Sequence, residues 1–369
     1  MLRLDYRYEK GTIDADNICN DFGVTKGFPM LNKNLPTALQ NALEMSRLLT
    51  ATDFKKLVFK RFDGGHHNDI YRVRTDKKDY AVRLSKKPKK RLGYFSEEFH
   101  NQKIAAEAKI APQILYADEN TGTLIYPYIV GAPVTREHLL NPTFCGTVTR
   151  AIKTIHSLKK PFLYHHNFLR SIEKRQDRTF GKNLENCPQE AKKLAIYATR
   201  AMELVRGNPV AYTPCHADLI LDNILKVNNH VTLIDWELSG MSDPHEDLAN
   251  FICFGNLTPK SIDMVLSHYF NTPDPIGRAR TYLFIVIILY YWILRHAEDL
   301  IKFPDSERLL LKQQRRLNEA NDVIVSQDYK KSVIILKKNV TITPKIKSAE
   351  AQNNTPQSAT QKPMDKEYK

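Results

Sequence analysis

The pattern of apolar and polar positions changes character along the chain. Leu35 to Leu49 carries apolar residues at helical spacing, which predicts a helix within an N-terminal extension over residues 1–54. From Leu57 to Val82 the period falls to two. KLVFKRF, the turn DGGHHND, IYRVRT, the turn TDKKD and YAVRL predict three antiparallel strands. Ser96 to Ala111 returns to helix formers, with Ser96 as the expected N-cap and Pro112 just past the end. ILYAD and TLIYPYI, parted by ENTG, predict a further hairpin. The expectation is an α+β chain: a small antiparallel β-rich lobe over 55–130, then a larger, mainly helical lobe over 131–344.

Two stretches of the helical region stand apart. Between Tyr212 and Glu237, NILKV and VTLID read as short strands joined at Asn228-Asn229, a hairpin set amid helices. Thr281 to Leu294 is an unbroken apolar run bounded by Arg280 and Arg295. It is shorter than the ~20 residues that span a bilayer, so it predicts a buried core helix and no integral membrane association. Residues 345–369 have scarcely an apolar side chain and predict a disordered tail.

The hairpin also carries chemistry. His216-Ala217-Asp218 is followed by Asn223, and Asp235 closes the second strand twelve residues later. Phosphoryl transfer needs a carboxylate at the attacking hydroxyl and oxygen ligands for magnesium on a triphosphate. Asp218 fits the first role and Asn223 with Asp235 the second, while His216 would brace the loop. Taken singly these are turn and strand-end residues; the joint spacing in a hairpin is what points to catalysis. Upstream, Gly64, Gly65 and Asn68 lie in the first turn of the meander, where glycines let backbone N–H groups approach phosphates. Arg83 on the third strand and Glu98 on the next helix are spaced to form an ion pair that holds a cation at the α- and β-phosphates.

Composition narrows the classes. The 42% hydrophobic and 26% charged residues suit a globular chain, and five scattered cysteines without a CxxC pair argue against a disulfide framework or zinc ribbon. No secretory leader is visible at the N-terminus, and a reducing cytoplasm is the expected compartment. The net charge of +14 favours phosphate-bearing partners. The basic stretch Lys86 to Arg91 lacks interleaved aromatic platforms, so no nucleic-acid partner is expected.

The chain resembles the choline kinase and aminoglycoside phosphotransferase group, and within it the bacterial choline kinases associated with lipopolysaccharide decoration. FDGGHHNDIYRV, YAVRL with EEFHNQKIAAEAKIAPQILYAD, CHADLILDNIL and LIDWELSGMSDPHEDLANF carry the likeness over about residues 55 to 300. The resemblance implies a bilobal, protein-kinase-like fold, ATP with Mg2+, and γ-phosphate transfer to a cationic amino alcohol, choline or ethanolamine. Thiamine or aminoglycoside phosphorylation would use the same hairpin. A catalytically inactive kinase-like binding module is the rival of another class, against which intact Asp218, Asn223 and Asp235 weigh. The resemblance also implies that Asp247 supports the catalytic loop from the start of a helix, although an N-cap role explains it equally. Ala217 stands where the group commonly has Asn, and Leu238 follows IDWE where the choline branch carries an aromatic or Ala. A quaternary ammonium needs aromatic faces and a carboxylate. Glu237, Trp236, Tyr291 and Trp292 are the candidates, with core packing an equal explanation of the rings.

Overall fold

The computed structural model describes residues 35–62, 68–86 and 94–342. Gly64, Gly65, basic residues 87–91, the first 34 residues and the tail from 345 lie outside the described residues. Contacts divide the chain into two compact units. One holds the residues up to Tyr164 together with Asp218–Gly240; the other holds His165–Ala217 and the residues from Met241 onward.

The first unit opens with helix α1 (Thr37–Ser46) and the short α2 (Ala51–Lys56), which Thr50 and Asp53 cap reciprocally. Strands β1 (Val58–Phe62), β2 (Asn68–Arg74) and β3 (Asp79–Ser85) form the meander expected from the period of two. Helix α3 (Tyr94–Glu107) follows, then β4 (Tyr116–Asp118) and β5 (Thr123–Pro127). The five strands make one antiparallel sheet in the order β1-β2-β3-β5-β4, with β3 at its centre. Leu39, Leu43 and Leu57 share its main core with Tyr71, Val73, Val82 and Ile125. Gly122 turns the β4–β5 hairpin at φ +72°, and a Cβ there would stand 2.4 Å from the Phe95 ring. The unit continues through β6 (Ala132–Pro133), α4 (Arg136–Leu139) and α5 (Pro142–His156).

The chain then supplies α6 (Phe168–Phe180), α7 (Gln189–Gly207) and β7 (Thr213–Cys215) to the second unit. It returns to the first for a 3-10 turn at Leu221–Asn223 and the hairpin β8 (Ile224–Val227) and β9 (His230–Leu233), turned at Asn228 with φ +51°. The first unit therefore runs past the boundary expected near residue 130. The reason is a ladder: β8 pairs with β6 as well as β9, setting Lys226 opposite Ala132 and Leu225 opposite Pro133.

Strand β10 (Gly240–Ser242) pairs with β7, and helices α8 (Pro244–Gly255), α9 (Pro259–Phe270), α10 (Pro275–Lys302), α11 (Glu307–Val325) and α12 (Gln327–Ile342) complete the second unit. The 28-residue α10 is its axis, packed by α7, α8, α11 and α12. Its apolar run is buried nearly all round, as the unbroken apolar sequence requires. No described helix is long and apolar enough to cross a membrane.

Candidate active site

The first unit gathers most of the chemistry-bearing residues. Arg83 lies on the central strand β3, opposite Ile70 on β2 and Leu124 on β5. Helix α3 begins at Tyr94 rather than at the expected cap Ser96, which stands inside its first turn. From that start the helix buries three polar residues, Glu98, Asn101 and Gln102, beside the apolar Phe95, Phe99, Ile104 and Ala105. Asn101 donates to the Ser239 carbonyl and hydroxyl oxygens and accepts the Leu163 N–H; Gln102 donates to the Pro112 carbonyl. Glu98 takes Arg83 in a two-pronged pair, Nη1 to Oε1 at 2.5 Å and Nη2 to Oε2 at 2.7 Å, with the residues 4% and 1% exposed. Burial alone would weaken the guanidinium's hold on its proton. The charges of Glu98 and then Asp235 reverse that and keep it firmly cationic.

Asp235 lies just after β9, its backbone at φ +67°, a left-handed conformation that Asp tolerates better than most residues. Its Oδ1 stands 3.7 Å from Arg83 Nη1. Asp218 opens the loop that leads into the 3-10 turn. The Asn223 side-chain nitrogen donates to the Asp218 carbonyl at 2.9 Å and to its Oδ2 at 2.8 Å. The Asn223 carbonyl accepts the Ile234 N–H, which fixes the end of β9 to the same turn. With both amide hydrogens directed at Asp218, Asn223 Oδ1 and the Asp235 carboxylate remain as hard oxygen donors, the kind that suits magnesium.

Glu237 is half-buried beside this cluster. Burial, reinforced by the charges of Asp235 and Glu98, pushes its carboxyl up to about 7 against the opposing pull of Arg83. Two residues join that were not among the sequence candidates. Burial and the charges of Glu237 and Glu98 raise the Tyr94 phenol, and burial pushes Tyr126 up to about 12 although Arg83 opposes the shift. The Tyr94 signal was present in the spacing, since it precedes Glu98 by one helical turn. Asn68 opens β2, paired with Ser85.

The second unit holds the segment that leads into Asp218. His216 is fully buried, and its backbone N–H and that of Ala217 donate to the two oxygens of Asp247 at 2.8 and 2.7 Å. Ala217 is held at φ +62°. The N-cap of α8 is Asp243, whose side chain accepts the His245 N–H, so Asp247 is left to clamp the loop backbone. Asp243 also meets His245 Nδ1 at 2.7 Å and the Arg280 guanidinium, and Arg280 donates to the Val205 and Asn208 carbonyls.

Of the expected acceptor rings, Trp236 belongs to the first unit and Tyr291 and Trp292 to the second. Trp236 has no exposed surface, donates its indole N–H to the Leu233 carbonyl and packs edge-on to Phe162, so it is core and not a substrate wall. Tyr291 is 4% exposed, packed on Phe168 and Trp292, with the Arg175 guanidinium 5.3 Å from its ring centre. Its face already carries a cation of the chain itself. Trp292 is half-buried against Phe254 and His296.

A model of the phosphotransferase enzyme family matches residues 58–283. The protein LicA homolog of Metamycoplasma hominis is 30% identical over 175 residues, which are 46% of this chain and 65% of that protein's length. In fold, the chain is similar to a choline/ethanolamine kinase family protein from Mesorhizobium loti, with TM-score 0.67 and 20% identity over 81% of this chain and 99% of that one. It is likewise similar to the choline kinase LicA from Streptococcus pneumoniae, with TM-score 0.61 and 19% identity over 78% of this chain and 98% of that one.

Proposed function

The chain belongs to the phosphotransferase enzyme family, and on that premise we propose that it transfers the γ-phosphate of ATP to the hydroxyl of an amino alcohol, choline or ethanolamine. One observation carries the reading: Asp218 is tied by Asn223 within the unit that also holds Asp235 and the buried Arg83–Glu98 pair. The names of its relatives favour the acceptor, since the Streptococcus pneumoniae protein is called a choline kinase and the Mesorhizobium loti protein a choline/ethanolamine kinase family member.

In this reading Asp218 receives or orients the proton of the attacking hydroxyl, and the Asn223 amide sets the direction of its carboxylate. Asn223 Oδ1 and Asp235 would hold magnesium, which would neutralise negative charge on the triphosphate. Arg83, fixed by Glu98, presents its cation to the α- and β-phosphates, and Gly64, Gly65 and Asn68 are the further residues assigned to those phosphates. Asp247 and His216 support the loop. Glu237 supplies the negative charge for the acceptor's ammonium; a cation beside it favours its ionised form. The scattered free thiols Cys145, Cys187, Cys215 and Cys253 suit a cytoplasmic setting.

The test is ADP release by the full chain with Mg-ATP and, separately, choline, ethanolamine, thiamine or an aminoglycoside. Turnover dependent on choline or ethanolamine is the expected result. Turnover with the aminoglycoside alone, or none with any acceptor despite ATP binding, overturns the assignment.

A further inference from the structure

Helices α7 and α12 lie side by side in the second unit, away from the chemistry above in sequence and in role. The Tyr197 and Tyr329 rings meet at 6.1 Å, and toward the other end Asn208 donates to the Leu336 carbonyl and accepts from Asn339. The two helices therefore run in the same direction. On α12, Tyr329, Ser332 and Leu336 point into the core, while Lys330, Lys331, Ile334, Lys337 and Lys338 are exposed along one arc at helical spacing. On α7 Lys192, Lys193, Ile196, Arg200 and Arg206 are exposed, together with the acids Glu190 and Glu203. Ile196 is 60% and Ile334 53% exposed, each an aliphatic side chain set among cations. The only acid of α12, Asp328, faces Arg278.

We propose that this lysine-rich, isoleucine-centred face docks on a membrane surface carrying anionic phospholipid. Lysines on the polar arc with aliphatic residues between them are what an interfacial helix presents to headgroups and the acyl boundary. A nucleic-acid partner fits less well. It gains nothing from the two isoleucines, and the tyrosines that would stack bases turn toward each other instead. The attachment is peripheral, since no described helix is long and apolar enough to cross a membrane.

The test is co-sedimentation of the full chain with vesicles of phosphatidylglycerol and phosphatidylcholine, against vesicles of phosphatidylcholine alone, at low and high salt. Binding only to the anionic vesicles, weakened by salt, is expected. Each lysine near such a surface contributes roughly fivefold in affinity, so K330E/K331E/K337E/K338E should bind at least about a hundredfold more weakly. I196S/I334S should bind several-fold more weakly with the salt dependence intact. Unchanged thermal melts would show that both variants are folded. Equal binding to both vesicle types, full binding by the quadruple variant, or tighter binding to duplex DNA than to the anionic vesicles overturns the proposal.

Discussion

Each unit contains a buried arginine–carboxylate pair, and the two are arranged to opposite ends. Every nitrogen of Arg280 donates: Nε and Nη2 to Asp243, and Nη1 to the Val205 and Asn208 carbonyls. Burial would raise the Asp243 carboxyl, yet His245 and Arg280 outweigh it and hold the group at about 2. Arg83 is crowded instead. It answers Glu98 while Asp235 stands 3.7 Å away, and burial, reinforced by Asp235 and Glu98, pushes the Glu237 carboxyl up to about 7. A buried ion pair is therefore weak evidence of function by itself. The surplus of acids around Arg83 is what supports the cation site proposed there.

The largest effect that separates the two regions is on turnover. Asp218→Asn should lower kcat by about 10³-fold while the KM for ATP shifts little, because the hydroxyl loses its proton acceptor but the phosphate contacts remain. A variant with full kcat sinks the role given to Asp218. Glu98→Gln should come next, costing roughly 30- to 100-fold in kcat/KM, or about 2–3 kcal/mol. Its cost in folding stability should be slight, since Asp235 and Glu237 still face Arg83. If calorimetry instead finds a large stability loss with catalysis intact, the Arg83 cluster is structural and the contrast with Arg280 fails.

What the sequence made legible follows the same division. The meander and the Arg83–Glu98 pairing could be read because both rest on the short-range periods of strand and helix. The β8–β9 hairpin was legible for the same reason. Features set by distant packing were not. Trp236 stands between two cluster residues in sequence, yet its ring is turned into the core against Phe162. Tyr291 lies on a helix buried all round, where sequence gives no clue that Arg175 occupies its face. For Asp247, loop support and an N-cap role looked equal in sequence, and only the positions of the His216 and Ala217 N–H groups, with Asp243 at the cap, separated them. The return of residues 218–240 to the first unit depends on two residues of β6, too short a strand to announce itself.

The Arg280 side of the comparison predicts a pH signature. With a native value of about 2 against an ordinary 3.8, Asp243 stabilises the fold above about pH 4, and that contribution is lost as pH falls through 2. Asp243→Asn should therefore lower stability by about 2 kcal/mol at pH 7, with the gap to the parent closing between pH 4 and pH 2. Urea unfolding across that range checks it. A gap that stays constant would mean the loss comes from the helix cap and not from the charge.

The smallest effect lies at Ala217, where the segment clamped by Asp247 ends and the loop of Asp218 begins. A side chain with a Cβ is strained at φ +62°, and Ala has no polar group to compensate as Asn or Asp would. Ala217→Gly removes that strain but enlarges the conformational freedom of the unfolded chain, and the two terms partly offset. Because the position is buried and held by the bond from its own N–H to Asp247, relief of strain should win. A gain of about 0.5–1 kcal/mol in unfolding free energy is expected, read as a rise in the urea midpoint. A fall in the midpoint would mean that the clamp, and not the residue's own conformational preference, sets the geometry of this turn. Asp247→Asn would then disturb the loop more than any change at Ala217.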